Sequence, residues 1–150
     1  MRSLQMTSET PKAVMEKCIP ILLVEDDRDE AALIRENLED ASHVVQIIES
    51  GEEAIAYLSG EGKYSDRSQY PLPFLVLLDL KMPGVGGFGV LRWLSGQPDL
   101  LAKLNVMVLS ATQSLKEIEV AHELGAQFFL PKSECSRLVE EVQRFENIVA

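Results

Sequence analysis

Apolar residues fall along this chain in short unbroken runs separated by amphipathic stretches. Ile21-Leu22-Leu23-Val24 and Phe74-Leu75-Val76-Leu77-Leu78 are continuous, the pattern of strands buried on both faces. Val44 to Ile48 is rich in β-branched residues, Val106 to Leu109 forms another run, and Phe128-Phe129-Leu130 is a short last one. Between these runs the apolar spacing turns helical: Ala31, Leu33, Ile34 and Leu38; Ala54 to Leu58; Phe88, Val90, Leu91 and Leu94; Leu115, Ile118, Ala121 and Leu124; and Leu138, Val142, Phe145 and Val149. Asp27 with Glu30, Ser50 with Glu53, and Ser114 with Glu117 have capping-box spacing at three of the predicted helix starts. Gly96 with Pro98, and Gly125, supply stops. Strand and helix alternate through five βα units, which predicts an α/β domain: a parallel sheet with helices on both faces.

Two segments fall outside this rhythm. Residues 1–17 are polar and mixed, with Pro11 in the middle, and are expected to be a flexible extension ahead of a domain over 18–150. Gly60 to Pro73 is a long polar connection carrying Tyr64, Arg67, Tyr70 and two prolines. Connections of that length are disordered or functional, and the aromatic content favours an ordered surface or contact patch.

Composition narrows the function. The chain has 150 residues, 46% hydrophobic, enough to bury one core without disulfides or structural metal. A net charge of −10 excludes general nucleic-acid or anionic-membrane binding, because no basic stripe is available to release counterions. No apolar run approaches membrane-spanning length, and the N-terminus carries no signal-peptide core. Cys18 and Cys135 form no ligand pattern and are expected as free thiols in a reducing cytoplasm.

Candidate chemistry collects where strands end. The first run ends in Glu25-Asp26-Asp27 and the third in Asp79. In parallel α/β sheets, ligands bind at the carboxyl ends of strands. Carboxylates crowded there repel one another unless a cation sits among them. Oxygen-only ligands favour a hard cation such as Mg²⁺. Asp27 alone is expected to be an ordinary helix cap. Ser110 ends the fourth strand and Lys132 follows the fifth. Singly these are a turn residue and a solvated lysine. Together with the acids they supply metal ligands, acceptor, hydroxyl and counter-charge for a phosphorylated carboxylate. Gly84-Val85-Gly86-Gly87-Phe88-Gly89 matches G-x-G-x-x-G, but it follows a middle strand with Asp79 and Pro83 in between, so a dinucleotide site is rejected in favour of a flexible loop and loose helix start. His43 and His122 are expected to be structural or surface residues.

Four motifs in order, Ile21-Leu22-Leu23-Val24-Glu25-Asp26-Asp27, Leu78-Asp79-Leu80-Lys81-Met82-Pro83-Gly84, Val108-Leu109-Ser110-Ala111 and Leu130-Pro131-Lys132, give a resemblance to the response-regulator receiver domains of two-component signalling. With the long connection and its Tyr-Pro-Leu-Pro, the chain resembles stand-alone, phytochrome-associated regulators that have no effector domain. The resemblance implies a flavodoxin-like, doubly wound (βα)5 sheet of strand order 2-1-3-4-5. It implies Asp79 as phosphoacceptor for a sensor histidine kinase or phosphotransfer protein. Glu25 and Asp26 would hold Mg²⁺ with Asp79 and the Lys81 backbone carbonyl, leaving the Lys81 side chain free, with Mn²⁺ or Ca²⁺ able to substitute. Ser110 and Lys132 would contact the phosphoryl group, Ser110 and Phe129 would form the switch, and a homodimer could form through the 113–150 face, where Val139 and Ile148 lie off the main stripe of a helix 134–149.

The chain departs from the family pattern in three places. Phe129 stands where tyrosine is common. Ser133 follows the lysine, where proline is usual. Gly86 and Gly89 stand where acids are frequent, so the loop after Asp79 is expected to be mobile. Lys81 and Thr112 are expected to control phosphate lifetime. Two alternatives are weaker: a phosphate-independent binding module, for which no site residue is lost, and an aspartyl-nucleophile phosphohydrolase, whose second acid is replaced here by Lys81.

Overall fold

The computed structural model describes residues 19–39, 43–111 and 114–149, with side chains through Asn147. The expected N-terminal extension, Cys18, Thr112 and the side chains of Ile148 and Val149 lie outside the described residues. Strands β1 (Ile19–Val24), β2 (His43–Ile48), β3 (Leu75–Leu78), β4 (Asn105–Ser110) and β5 (Phe128–Pro131) alternate with helices α1 (Arg28–Glu39), α2 (Gly51–Ser59), α3 (Gly86–Ser95), α4 (Leu115–Glu123) and α5 (Leu138–Val149). All pairings are parallel and the strand order is β2-β1-β3-β4-β5, as expected for the doubly wound sheet.

The unbroken apolar runs are explained by two helical layers. Ile21, Leu23, Leu75, Leu77, Met107, Leu109 and Leu130 face α1 and α5, packing with Ile34, Leu38, Leu138 and Phe145. The alternate residues Leu22, Val24, Val76, Leu78, Val106 and Val108 face α2, α3 and α4, packing with Tyr57, Leu58, Leu91, Leu94 and Ala121. Because side chains alternate along a strand, each strand needs apolar residues at both parities.

Local signals act where they were read. Asp27 Oδ1 accepts from the Asp29 and Glu30 N–H groups at 3.0 and 3.1 Å, capping α1. Ser50 and Ser114 cap α2 and α4 through the N–H groups of Glu53 and Glu117. The last helix differs from expectation. It begins at Leu138, not 134, after a 3-10 segment Lys132–Arg137 in which Glu134 leaves helical geometry. That tighter turn carries the chain from the sheet edge to the face covered by Leu138.

The Gly60 to Pro73 connection is ordered. Its 3-10 turn Gly62–Ser65 buries Tyr64 against the core beside Tyr57. The Tyr57–Tyr64 and Tyr64–Tyr70 ring centroids are each 5.0 Å apart. Arg67 donates to the carbonyls of Tyr57 (2.9 Å), Leu58 (3.0 Å) and Tyr70 (3.1 Å). Two of those are carbonyls of the last turn of α2: Tyr57 O, which also accepts from the Gly60 N–H at 3.1 Å, and Leu58 O. Tyr64 donates to Glu53 Oε2 at 2.6 Å, and Tyr57 to the Pro71 carbonyl at 2.9 Å.

Candidate functional site at the carboxyl edge of the sheet

Strand alternation builds the site. Leu23, Leu77 and Leu130 all point to the α1/α5 face. Two residues further along their chains come Glu25, Asp79 and Lys132, on the same face by the period-two rule. The ladder continues one step past the strands: Glu25 N–H donates to Ile48 O at 2.9 Å and Asp79 N–H to Val24 O at 3.1 Å. These bonds fix the backbone of both acids. Glu25 is 1% exposed and Asp79 4%, so both carboxylates are held at the sheet edge with almost no water.

Glu25, Asp26 and Asp79 each offer a carboxylate oxygen within 4.8 Å of the others, Asp26 being exposed. The Lys132 ammonium sits among them. Its Nζ is 2.6 Å from Glu30 Oε1, 3.0 Å from Glu25 Oε1 and 3.2 Å from Asp79 Oδ2. The contacts to Glu30 and Asp79 are hydrogen bonds, whereas the approach to Glu25 is an ion pair without hydrogen-bond alignment. The Lys81 N–H donates to Asp79 Oδ1 at 3.1 Å and the Asp27 N–H to Glu25 Oε2 at 3.2 Å.

The electrostatics follow from burial and crowding. Loss of water, with the nearby Asp79 charge, pushes the Glu25 carboxyl up to about 7 against the opposing pull of Lys132. Burial alone would lower the Lys132 ammonium. The hydrogen bond to Glu30 and the close carboxylates of Glu25 and Asp79 overcome it and hold the ammonium above the usual lysine range. One ammonium therefore pairs with three carboxylates, Glu25, Glu30 and Asp79, and Asp26 adds a fourth negative charge beside them. The oxygen-only donor set and the excess negative charge fit a hard divalent cation.

Ser110 is fully buried and pairs in register with Pro131, next to Lys132. Phe129, in register with Val108, is half-buried on the opposite sheet face. There it lines a cavity of about 120 Å³ with Val108, Ile118 and Ala121. The Lys81 side chain was expected to be free, and is not: Nζ pairs with Glu117 Oε2 at 3.0 Å because the first turn of α4 comes alongside the loop after β3. The glycines after Asp79 do more than loosen a helix start. Gly87 is buried, and a Cβ there would collide with the Asp79 carbonyl and the Leu80 Cα, so only glycine lets α3 begin this close to β3.

Glu30 was not recognised from the sequence as a site residue. Its capping-box spacing explained it locally, and nothing local points to a partner 102 residues away. His43 is structural and His122 is exposed on α4. His43 is buried, with Nε2 2.6 Å from Glu146 Oε2 and Nδ1 3.2 Å from Leu38 O, and His122 Nδ1 lies 3.1 Å from Ala126 O. Cys135 is a half-buried free thiol that burial makes harder to ionise. No helix among the described residues is long and apolar enough to cross a membrane.

A flavodoxin-like sheet with acids, hydroxyl and lysine at its carboxyl edge is the architecture of a phosphorylation-signalling receiver. The chain matches the response regulator receiver domain family over residues 21–143 and belongs to it. It is 31% identical over 131 residues to response regulator Rcp1 of Synechocystis sp., covering 83% of this chain and 86% of Rcp1. The phosphorylated cyanobacterial phytochrome response regulator RcpA superimposes with a TM-score of 0.76 at 32% identity, covering 88% of this chain and 96% of RcpA. The Mn²⁺-bound form of Rcp1 gives 0.73 at 30% identity, covering 85% and 93%. The chain is thus a signalling receiver of two-component systems, a family that binds divalent metal and interacts with histidine kinases.

Proposed function

We propose that this protein is a phosphoacceptor switch: Asp79 takes a phosphoryl group from the phosphohistidine of a sensor histidine kinase or phosphotransfer protein. The observation that carries this reading is the buried Asp79 carboxylate, 3.2 Å from Lys132 and clustered with Glu25 and Asp26. In the transfer, an Asp79 oxygen bonds to phosphorus, the phosphorus–nitrogen bond breaks, and the imidazole leaves. Lys132 balances charge on a phosphoryl oxygen and Ser110 donates a hydrogen bond to another. Glu25, Asp26, Asp79 and the Lys81 carbonyl would hold Mg²⁺, whose charge would offset the repulsion between the carboxylates and the incoming phosphate; the Mn²⁺-bound relative supports a divalent ion here.

Output is a change of contact surface. Ser110 moves toward the phosphoryl group and Phe129 turns into the adjoining cavity, altering α4, β5 and α5. Moving the equilibrium from one state almost wholly to the other takes about 5.5 kcal/mol of preference. A homodimer through the 113–150 face is one such output. The protein acts in the cytoplasm as an acceptor that assists its own phosphotransfer and dephosphorylation, not as an enzyme on a separate substrate.

The test is intact mass after incubation with a small-molecule phosphodonor, with and without Mg²⁺. Wild type gains one phosphate only with Mg²⁺, and Asp79→Asn gains none. A phosphate on Asp79→Asn at this site ends the assignment. No gain by wild type favours the phosphate-independent binding module.

A further inference from the structure

We infer that Glu30 is a positioning residue for Lys132: it draws the ammonium toward α1 and so leaves Glu25 and Asp79 to the cation. The inference rests on the proposed metal site. Lys132 and a divalent cation compete for the same two carboxylates, since Nζ stands 3.0 Å from Glu25 Oε1 and 3.2 Å from Asp79 Oδ2. An ammonium seated fully between them would be a resident counter-ion that any metal had to displace. The shortest contact goes elsewhere, to Glu30 Oε1 at 2.6 Å.

Glu30 is suited to that role by where it stands. It lies in the first turn of α1, and its N–H is pinned by the Asp27 cap at 3.1 Å, so its backbone cannot follow Lys132 inward. Its side chain is 37% exposed, against 1% for Glu25 and 4% for Asp79. A carboxylate that keeps some water loses less by remaining charged beside a lysine. The ammonium has three N–H donors. With one committed to Glu30, it stays anchored when a metal takes over oxygens of Glu25 and Asp79.

The deciding experiment is a double-mutant cycle on Mg²⁺ affinity, measured by titration calorimetry at fixed ionic strength, with circular dichroism as the check on folding. Glu30→Ala removes the anchor. Lys132 then closes on Glu25 and Asp79, and the Mg²⁺ Kd rises roughly fivefold. In a Lys132→Ala background the same substitution has little effect, because no ammonium is left to hold back. Glu30→Gln, which keeps an acceptor and loses the charge, falls between wild type and Glu30→Ala. Lys132→Met replaces Lys132→Ala if the latter does not fold.

A simple loss of local negative charge also weakens Mg²⁺, but equally with and without Lys132. Equal loss in both backgrounds therefore overturns the inference, as does an unchanged Kd in Glu30→Ala. A wild type that binds no Mg²⁺ refutes the metal site itself, and that result is distinguishable from either.

Discussion

The sheet edge and the Gly60 to Pro73 lobe are both polar clusters on the same core, and they are balanced in opposite ways. In the lobe, the Arg67 guanidinium meets three carbonyls and the Tyr64 hydroxyl meets Glu53. At the edge, Glu25, Glu30 and Asp79 share one ammonium, with Asp26 clustered beside Glu25 and Asp79. The lobe is matched within the chain and so stabilises the fold. The edge is left over-acidic, which is the imbalance that the proposed divalent cation would offset. A polar cluster that cannot balance itself marks where a ligand acts.

Lysine 132 separates the two regions most sharply. Lys132→Ala leaves Glu25 and Asp79 buried without a counter-charge, and metal-free stability in urea denaturation is expected to fall by about 3 kcal/mol. Added Mg²⁺ recovers much of that loss. No recovery would mean that the carboxylates do not form the cation site.

Arginine 67 gives the opposite result. Arg67→Ala strips the donors from carbonyls of α2 and the lobe and costs about 2 kcal/mol. Neither Mg²⁺ affinity nor phosphate uptake changes, and the loss is the same with or without metal. A change in phosphorylation rate would show that the lobe reaches the site.

Tyr64→Phe removes one charge-assisted hydrogen bond to Glu53 and is expected to cost about 1.5 kcal/mol, read as a lower melting temperature. Its spectrum of bound metal and phosphate stays that of wild type.

The gentlest probe is pH. Burial raises Glu25 from 4.5 to about 7. The folded protein holds this proton more tightly than the unfolded chain, so the stabilisation is complete below pH 4.5 and lost as pH rises to about 7. In chelator, Glu25 thus contributes a downward slope in stability between those values. Glu25→Gln flattens the slope, which equilibrium unfolding across that range detects. Mg²⁺ binding in the same window releases a proton, measurable as a buffer-dependent heat.

The elements and the core were legible because their signals are local. Strands showed as apolar runs and helix starts as Asp27, Ser50 and Ser114, each bonded within three residues. The acids Glu25, Asp26 and Asp79 were legible too, because a strand end has a known place in a parallel sheet. The capping-box acids were only half legible. Glu30, Glu53 and Glu117 stand at the predicted helix starts, but their carboxylates go to Lys132, Tyr64 and Lys81. The Lys81 pairing was missed for the same reason.

Sequence alone determined which segments are strands and helices, which residues end the strands, and how acidic the strand ends are. Those properties depend on neighbours within a turn or a pleat. Only the tertiary structure decided that Glu30 takes the Lys132 ammonium, that His43 pairs with Glu146 across 103 residues, and that Gly87 lies against the Asp79 backbone. The first two contacts exist because the sheet order and the helices packed on its face bring together segments far apart in the chain, and the third because α3 starts against the end of β3. Residue identity alone does not show them, because each depends on how elements pack after they form.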